Sequence, residues 1–132
     1  MIEYLLDSNT LAFWLSRPLP PVVRKAGEHR RSSAISAIVM HELYFGAFAG
    51  QRTQATINLY ESAGLPILGF DQTDARVAAE IRAVLRSIGR PIGPYDILIA
   101  GQALARDLTL VTNNIGEFAR VEGLKLEDWT AA

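Results

Sequence analysis

The sequence predicts an α/β domain, a three-layer α/β/α sandwich built on a mostly parallel central sheet. Two observations carry that expectation. Short apolar runs suited to strands alternate along the chain with longer helical stretches, the pattern of successive βαβ units. No repeat, low-complexity tract or linker divides the 132 residues, so residues 1–132 read as a single domain with one sizeable core.

Taken in order, "IEYLL" (2–6) reads as a short buried strand ending at Asp7, and "NTLAFWL" (9–15) as the helix that follows. "RPLPP" (17–21) is a turn whose Pro21 can open a helix through "VVRKAGEHR" (22–30), because the fixed φ of proline suits a first helical turn. "SSAIS" (32–36) is a weaker strand. "AIVMHELYFGAFA" (37–49) is a strong helix, apolar nearly all round and expected to be largely buried. "RTQATINLYESAG" (52–64) continues as a helix stopped by Gly64, and "LPILGF" (65–70) is a strand. "QTDARVAAEIRAVLRSIG" (72–89) is a long helix closed by Gly89, and Pro94 opens the apolar helix that carries Asp96. "LTLVT" (108–112), "NIGEFARV" (114–121) and "LKLEDW" (124–129) complete the chain as strand, short helix and last edge strand.

Composition narrows the chemistry. The chain has no cysteine, which excludes disulfides and thiolate metal sites and leaves oxygen or imidazole as metal ligands. His29 and His41 lack the spacing of a zinc site; His29 reads as part of a basic surface and His41 as a helix residue without assigned chemistry. Charges break every apolar run before about 18 residues, so no membrane-spanning helix is expected. The start of the chain lacks the basic lead of a secretory signal, and a cytoplasmic protein is expected. Thirteen basic and fourteen acidic residues nearly cancel, which by itself argues against nucleic-acid binding. Yet basic residues cluster at 24–31 and 82–90, where a local patch can override the total. There is no GxSxG elbow, P-loop or GxGxxG after the first strand.

In parallel sheets, ligands bind beyond the carboxyl ends of the strands. Asp7 and the run Thr112, Asn113, Asn114 stand there. For Asp7 alone, a helix N-cap and a metal ligand remain equally open. Glu42 interrupts a stripe formed by Ile38, Val39, Phe45 and Gly46; a buried carboxylate is rare unless paired or metal-bound, so a functional role is favoured. Asp96 near a helix start suits the macrodipole, but the helix behind it is so apolar that its first turn must face the sheet. Glu117, three residues after Asn114, fits a helix-start pattern and on its own favours capping. The remaining acids, Asp71, Asp74 and Asp128 among them, lie in turns, chain ends or polar helix faces, where solvation explains them.

Together, "YLLDSNTLAFWL", "ISAIVMHELYFGA", "GRPIGPYDILIAGQALARDLTLVTNN" and "EFARVEGLKLEDW" resemble the VapC-type toxins, PIN-domain ribonucleases of type II toxin–antitoxin pairs. The likeness runs from residue 2 to about residue 129 and implies a PIN-like sandwich. It implies that Asp7, Glu42 and Asp96 bind Mg²⁺ or Mn²⁺, that Glu117 is the fourth catalytic acid, and that Ser8, Thr112 and Asn114 support the site. Many relatives carry an aspartate where this chain has Asn114, which leaves open how Asn114 and Glu117 share the fourth position. The implied reaction is metal-dependent hydrolysis of a phosphodiester in structured RNA, a tRNA anticodon stem-loop and initiator tRNA above all, leaving a 5′-phosphate and a 3′-hydroxyl. The implied partners are a VapB-type antitoxin and a second copy in a homodimer, with no membrane. Arg24, Lys25, Arg82, Arg86 and Arg90 are the candidates for RNA contact.

Three alternatives stay open from sequence. A PIN nuclease of RNA processing would share the site but have no antitoxin. A haloacid-dehalogenase-type phosphotransferase would use "DSNT", although Asn9 stands where its second aspartate belongs. A receiver domain would use Asp71 as phosphoacceptor and Thr112 as switch residue.

Overall fold

Leu5 and Leu6 expose no surface at all, because the strand that carries them runs through the middle of the sheet. In the computed structural model, which describes residues 1–131, that strand is β1 (Tyr4–Leu6). It is flanked by β2 (Ser33–Ser36) and β4 (Thr109–Val111), with β3 (Ile67–Leu68) and β5 (Leu126–Glu127) at the edges. The order is β3-β2-β1-β4-β5 and every neighbouring pair is parallel, so the sheet is wholly parallel. The chain builds outward from β1 to β3, then returns to β4 on the other side. The reversal puts a topological switch point between β1 and β4, where such sheets bind ligands.

The connecting helices are α1 (Ser8–Leu15), α2 (Pro20–Glu28), α3 (Ala37–Ala49), α4 (Thr53–Glu61), α5 (Gln72–Ser87), α6 (Pro94–Ala105) and α7 (Ile115–Phe118). Several details depart from the sequence reading. Helix α2 begins one residue early, at Pro20, behind an extended Leu19. The 65–70 run yields only two strand residues, since β3 is an edge strand paired on one side. Helix α3 buries Val39, Met40 and Ala47 but leaves Phe45 and Phe48 68% and 69% exposed, so only one of its faces meets the core. His29 also is no simple surface group: its ring stacks on Trp129 at 5.6 Å and lies 4.8 Å from Tyr4. Among the described residues no helix is long and apolar enough to cross a membrane.

Helices α5 and α6 meet closely enough that a methyl group built on Gly101 would lie 2.5 Å from Cβ of Ala78. Their outer ends are stapled by charge. Asp74, 1% exposed, accepts from Arg106 Nε at 3.1 Å and from Arg106 Nη2 at 2.8 Å, and shares a capping box with Asp71 at the start of α5. Solvation therefore does not explain Asp74. Burial alone would raise its carboxyl, but the Arg106 hydrogen bonds and the Asp71 N–H outweigh it and hold the group below its ordinary value. A depressed folded-state value means stability that is present above the unfolded carboxyl range near pH 4 and is lost as pH falls through the lower, folded value. Asp74→Ala is expected to cost about 3 kcal/mol at neutral pH, since it strands a partly buried guanidinium and removes the cap. Urea titrations from pH 7 to pH 2.5 check this: the gap between variant and wild type should shrink at the acid end.

Candidate active site

The parallel register pairs Leu6 with Val111 and Val111 with Glu127. The next residues along the three strands, Asp7, Thr112 and Asp128, therefore share the carboxyl edge of the sheet at the switch point. Asp7 is held there from several directions. Its N–H donates to the Val111 carbonyl at 3.1 Å, and its Oδ1 accepts from the Thr10 N–H at 2.8 Å. Thr10 Oγ1 in turn donates to the Val111 carbonyl at 3.0 Å, which pins α1 to β4. Asp7 is thus the N-cap of α1, and the cap sets its rotamer where the candidate site opens. It is only 7% exposed, and burial pushes its carboxyl up, with hydrogen bonding from Thr112 and Thr10 opposing and the Asp128 charge adding to the rise.

Asp96 enters from α6, two residues after the helix-opening Pro94, and is half-buried. Burial first, then the charges of Glu117 and Asp7, push its carboxyl up to about 6. Glu42, half-buried on the second turn of α3, is likewise raised by burial, then by Asp96 and Asp7, with the neighbouring His41 opposing. The His41 ring lies 5.5 Å from that of Tyr95, so α3 and the first turn of α6 meet beside these acids.

Glu117 does not cap its own helix. Its Oε1 accepts from the Gly93 N–H at 2.9 Å and its Oε2 from Asn114 Nδ2 at 2.9 Å. Those bonds keep it ionised, below its ordinary value. Asn114 is positioned by its own N–H, which donates to Thr112 Oγ1 at 3.0 Å. Gly93 also packs closely on the acids: a Cβ there would stand 3.2 Å from Asp96 Oδ2, so that carboxylate would have to shift by a few tenths of an ångström. Thr112 is fully buried beneath the acids, and half-buried Ser8 opens α1 beside Asp7. At the rim, Asn9 Nδ2 donates to Asn113 Oδ1 at 3.3 Å.

Asp128 stands at this edge although its local sequence pattern carries no sign of it. It stood among the solvated acids, yet its charge reaches Asp7. The available signal was register: once "LKLEDW" pairs with "LTLVT", Asp128 falls level with Thr112. Of the basic residues, Arg82 and Arg86 sit at the exposed end of α5 and Arg90 in the loop leading to Gly93. Arg24 pairs with Glu28 at 3.8 Å on α2, and nothing ties Arg24 or Lys25 to the acids.

The donor set suits a hard divalent cation. All its donors are oxygens, and the ion pairs among the described residues engage Glu28, Glu80, Asp71, Asp74 and Asp107, leaving Asp7, Glu42, Asp96 and Glu117 without one. Among the described residues no three such groups close into a tight cage.

A family model described as "PIN domain" matches residues 4–124. The chain belongs to the PIN-domain family. Within it, the likeness is to VapC proteins. The tRNA(fMet)-specific endonuclease VapC of Shigella flexneri is 35% identical over 132 residues, covering 98% of this chain and all of that one. The protein of the same name from Salmonella typhimurium is 36% identical, covering 98% and 99%. Among solved structures, the DNA-bound VapBC of Salmonella typhimurium superposes with a TM-score of 0.93 at 34% identity, over 98% of this chain and 99% of that one. This PIN domain leaves no place for two of the alternatives. Asp71, the would-be phosphoacceptor, caps α5, and Asn9, where a phosphotransferase needs an acid, bonds Asn113 at the rim.

Proposed function

We propose that this VapC-type chain is an endoribonuclease toxin that hydrolyses a phosphodiester in structured RNA with the help of Mg²⁺ or Mn²⁺. The observation that carries the reading is the convergence of Asp7, Glu42 and Asp96 at the switch point of a PIN sheet: burial raises all three carboxyls, and the Asp7 charge adds to the rise at Glu42 and Asp96. The names of the Shigella and Salmonella relatives support tRNA(fMet) as the substrate.

Asp7, Glu42 and Asp96 would hold the cation, which supplies positive charge that acidifies water and neutralises charge developing on the phosphate. The chain's own residues prepare that site. Thr10 and the α1 backbone fix the Asp7 carboxylate, and Glu117 anchors Gly93 so that Asp96 is presented from a rigid turn. Thr112 and Asn114 hold Glu117 and the β4 end in register, and Ser8 borders Asp7. Water adds to phosphorus as the P–O3′ bond breaks, and its proton passes to the departing 3′ oxygen, giving a 5′-phosphate and a 3′-hydroxyl. Arg82, Arg86 and Arg90 neutralise phosphates on the α5 side of the site; Arg24 and Lys25 serve a more distant part of the RNA.

The partner is a VapB-type antitoxin, whose basic C-terminal segment would fill the acidic groove, and the toxin pairs with a second copy of itself in the cytoplasm. The solved VapBC complexes of Salmonella typhimurium and Rickettsia felis support a toxin–antitoxin pair over an RNA-processing nuclease. The purified chain incubated with tRNA(fMet), with and without chelator, tests the proposal. Cleavage that stops with chelator and returns with Mg²⁺ or Mn²⁺ is expected; chelator-resistant cleavage contradicts the cation's role. Arg90→Ala is expected to weaken RNA binding and to reduce the slope of log K against log salt by about 1, measured by anisotropy at several salt concentrations.

A further inference from the structure

Against the segment that presents Asp96 lies a groove whose apolar interior the proposed reaction leaves without a role. It has a volume of about 480 Å³ and runs between the exposed face of α5, where Ala79, Arg82, Ala83 and Arg86 follow at helical spacing, and a wall of Pro91, Ile92 and Pro94. We propose that this groove is a base-binding slot that takes one unstacked nucleobase of the substrate RNA next to the scissile bond, with Arg82 and Arg86 on its flanking phosphates. The proposal rests on the ribonuclease reading above and adds a determinant of specificity to it.

Three features point to a nucleotide. First, the two arginines stand one helical turn apart without a carboxylate partner among the described residues, whereas Arg76 on the same helix pairs with Glu80 at 3.5 Å. Like charges at that spacing work against a helix, so this pair is suited to an anion from outside. Second, the small alanines leave room on the α5 side, and Pro91, Ile92 and Pro94 face them with apolar surface. An apolar slot with guanidinium planes at its rim is the surface on which unpaired bases stack.

Third, the slot is built on the segment that carries Asp96. Pro94 and Ile97 line it and bracket Asp96, while the wall loop is pinned from α7 by the Glu117–Gly93 bond and by Arg120 Nη1 donating to the Pro91 carbonyl at 3.0 Å. A base held there would rest against the same braced segment that presents Asp96. An acidic peptide would satisfy the arginines equally, but it would have no need of a wall braced by a site acid.

Abasic scanning against a slot-filling variant tests the proposal. Ala83 is exposed, so Ala83→Trp should fold, as checked by thermal melting, while occupying the slot. Cleavage of an anticodon stem-loop RNA is compared with that of a series in which each unpaired nucleotide in turn is abasic. In wild type, one position next to the cleavage site should lower kcat/KM about 10-fold, within the range of a lost base stack. Ala83→Trp should lower kcat/KM on the intact RNA by the same factor, and that abasic position should then cost nothing more. Arg86→Lys, which keeps charge but not the flat guanidinium, should lose about 3-fold on the intact RNA at an unchanged salt slope.

If the abasic and Ala83→Trp effects multiply at every position, or no position matters in wild type, the slot holds no base. If Ala83→Trp alters oligomeric state or antitoxin binding while RNA cleavage holds, the groove is a protein interface and the proposal falls. If wild type cleaves no RNA of any sequence, the nuclease reading itself has failed, an outcome read without any variant.

Discussion

Asp96→Asn is expected to abolish RNA cleavage and growth arrest while leaving a protein that is more stable than wild type when no divalent cation is present. The loss of activity should exceed the roughly 10–100-fold that follows removal of a group merely supporting a metal ligand, because the substitution removes a charge from the proposed donor set itself. The stability gain follows from the sign of the shift. Asp96 is raised from 3.8 to about 6, so the folded chain holds that proton more tightly than the unfolded chain does. The ionised group therefore destabilises the native state, with a penalty that grows as pH rises from about 4 to about 6 and is complete above that. Discounted for partial solvent access, it amounts to about 1–2 kcal/mol.

Wild type in chelator should accordingly melt higher at pH 5 than at pH 7.5, and Asp96→Asn should lack that part of the difference. Added Mg²⁺ should raise the wild-type melting temperature at pH 7.5 and leave that of Asp96→Asn nearly unmoved, since a cation that binds only the folded state stabilises it by mass action. A well-expressed Asp96→Asn protein that still arrests growth would remove Asp96 from the reaction.

The largest effect on folding is expected from Gly101→Ala. By helix propensity alone, replacing this glycine within α6 should stabilise the protein by about 0.5–1 kcal/mol. Packing reverses the sign. The new methyl would fall 2.5 Å from Cβ, 2.6 Å from Cα and 2.7 Å from the backbone nitrogen of Ala78. Two of those atoms are main chain, so no rotamer change relieves the overlap; α5 and α6 must separate. Such overpacking costs about 1–3 kcal/mol, occasionally more, and rigid backbone on both sides places this case at or beyond 3 kcal/mol. Chemical denaturation of Gly101→Ala measures it, and a midpoint at or above wild type would show that the helices can part cheaply. Because α6 carries Asp96 and α5 carries Arg82 and Arg86, surviving folded protein should also cleave RNA poorly.

Much of this protein is legible along the chain. Alternating apolar runs and helical stretches specify a parallel α/β sandwich, since periodicity and helix-end residues are local properties. Asp7 at a strand end, Glu42 in an apolar stripe and Asp96 at the head of an apolar helix are conspicuous because each sets a charge where desolvation is costly. Other matters depend on what lies across space. The Glu117 carboxylate turns from its own helix to a backbone N–H 24 residues upstream. Asp74 finds Arg106, and Asp128 reaches the Asp7 edge only through the pairing of β5 with β4. The outer face of α3 stays bare, with nothing in its periodicity to distinguish it from the buried one. Local pattern sets which segments form and which side seeks the core; which charges meet is set by strand order and register, and those exist only once the sheet has closed.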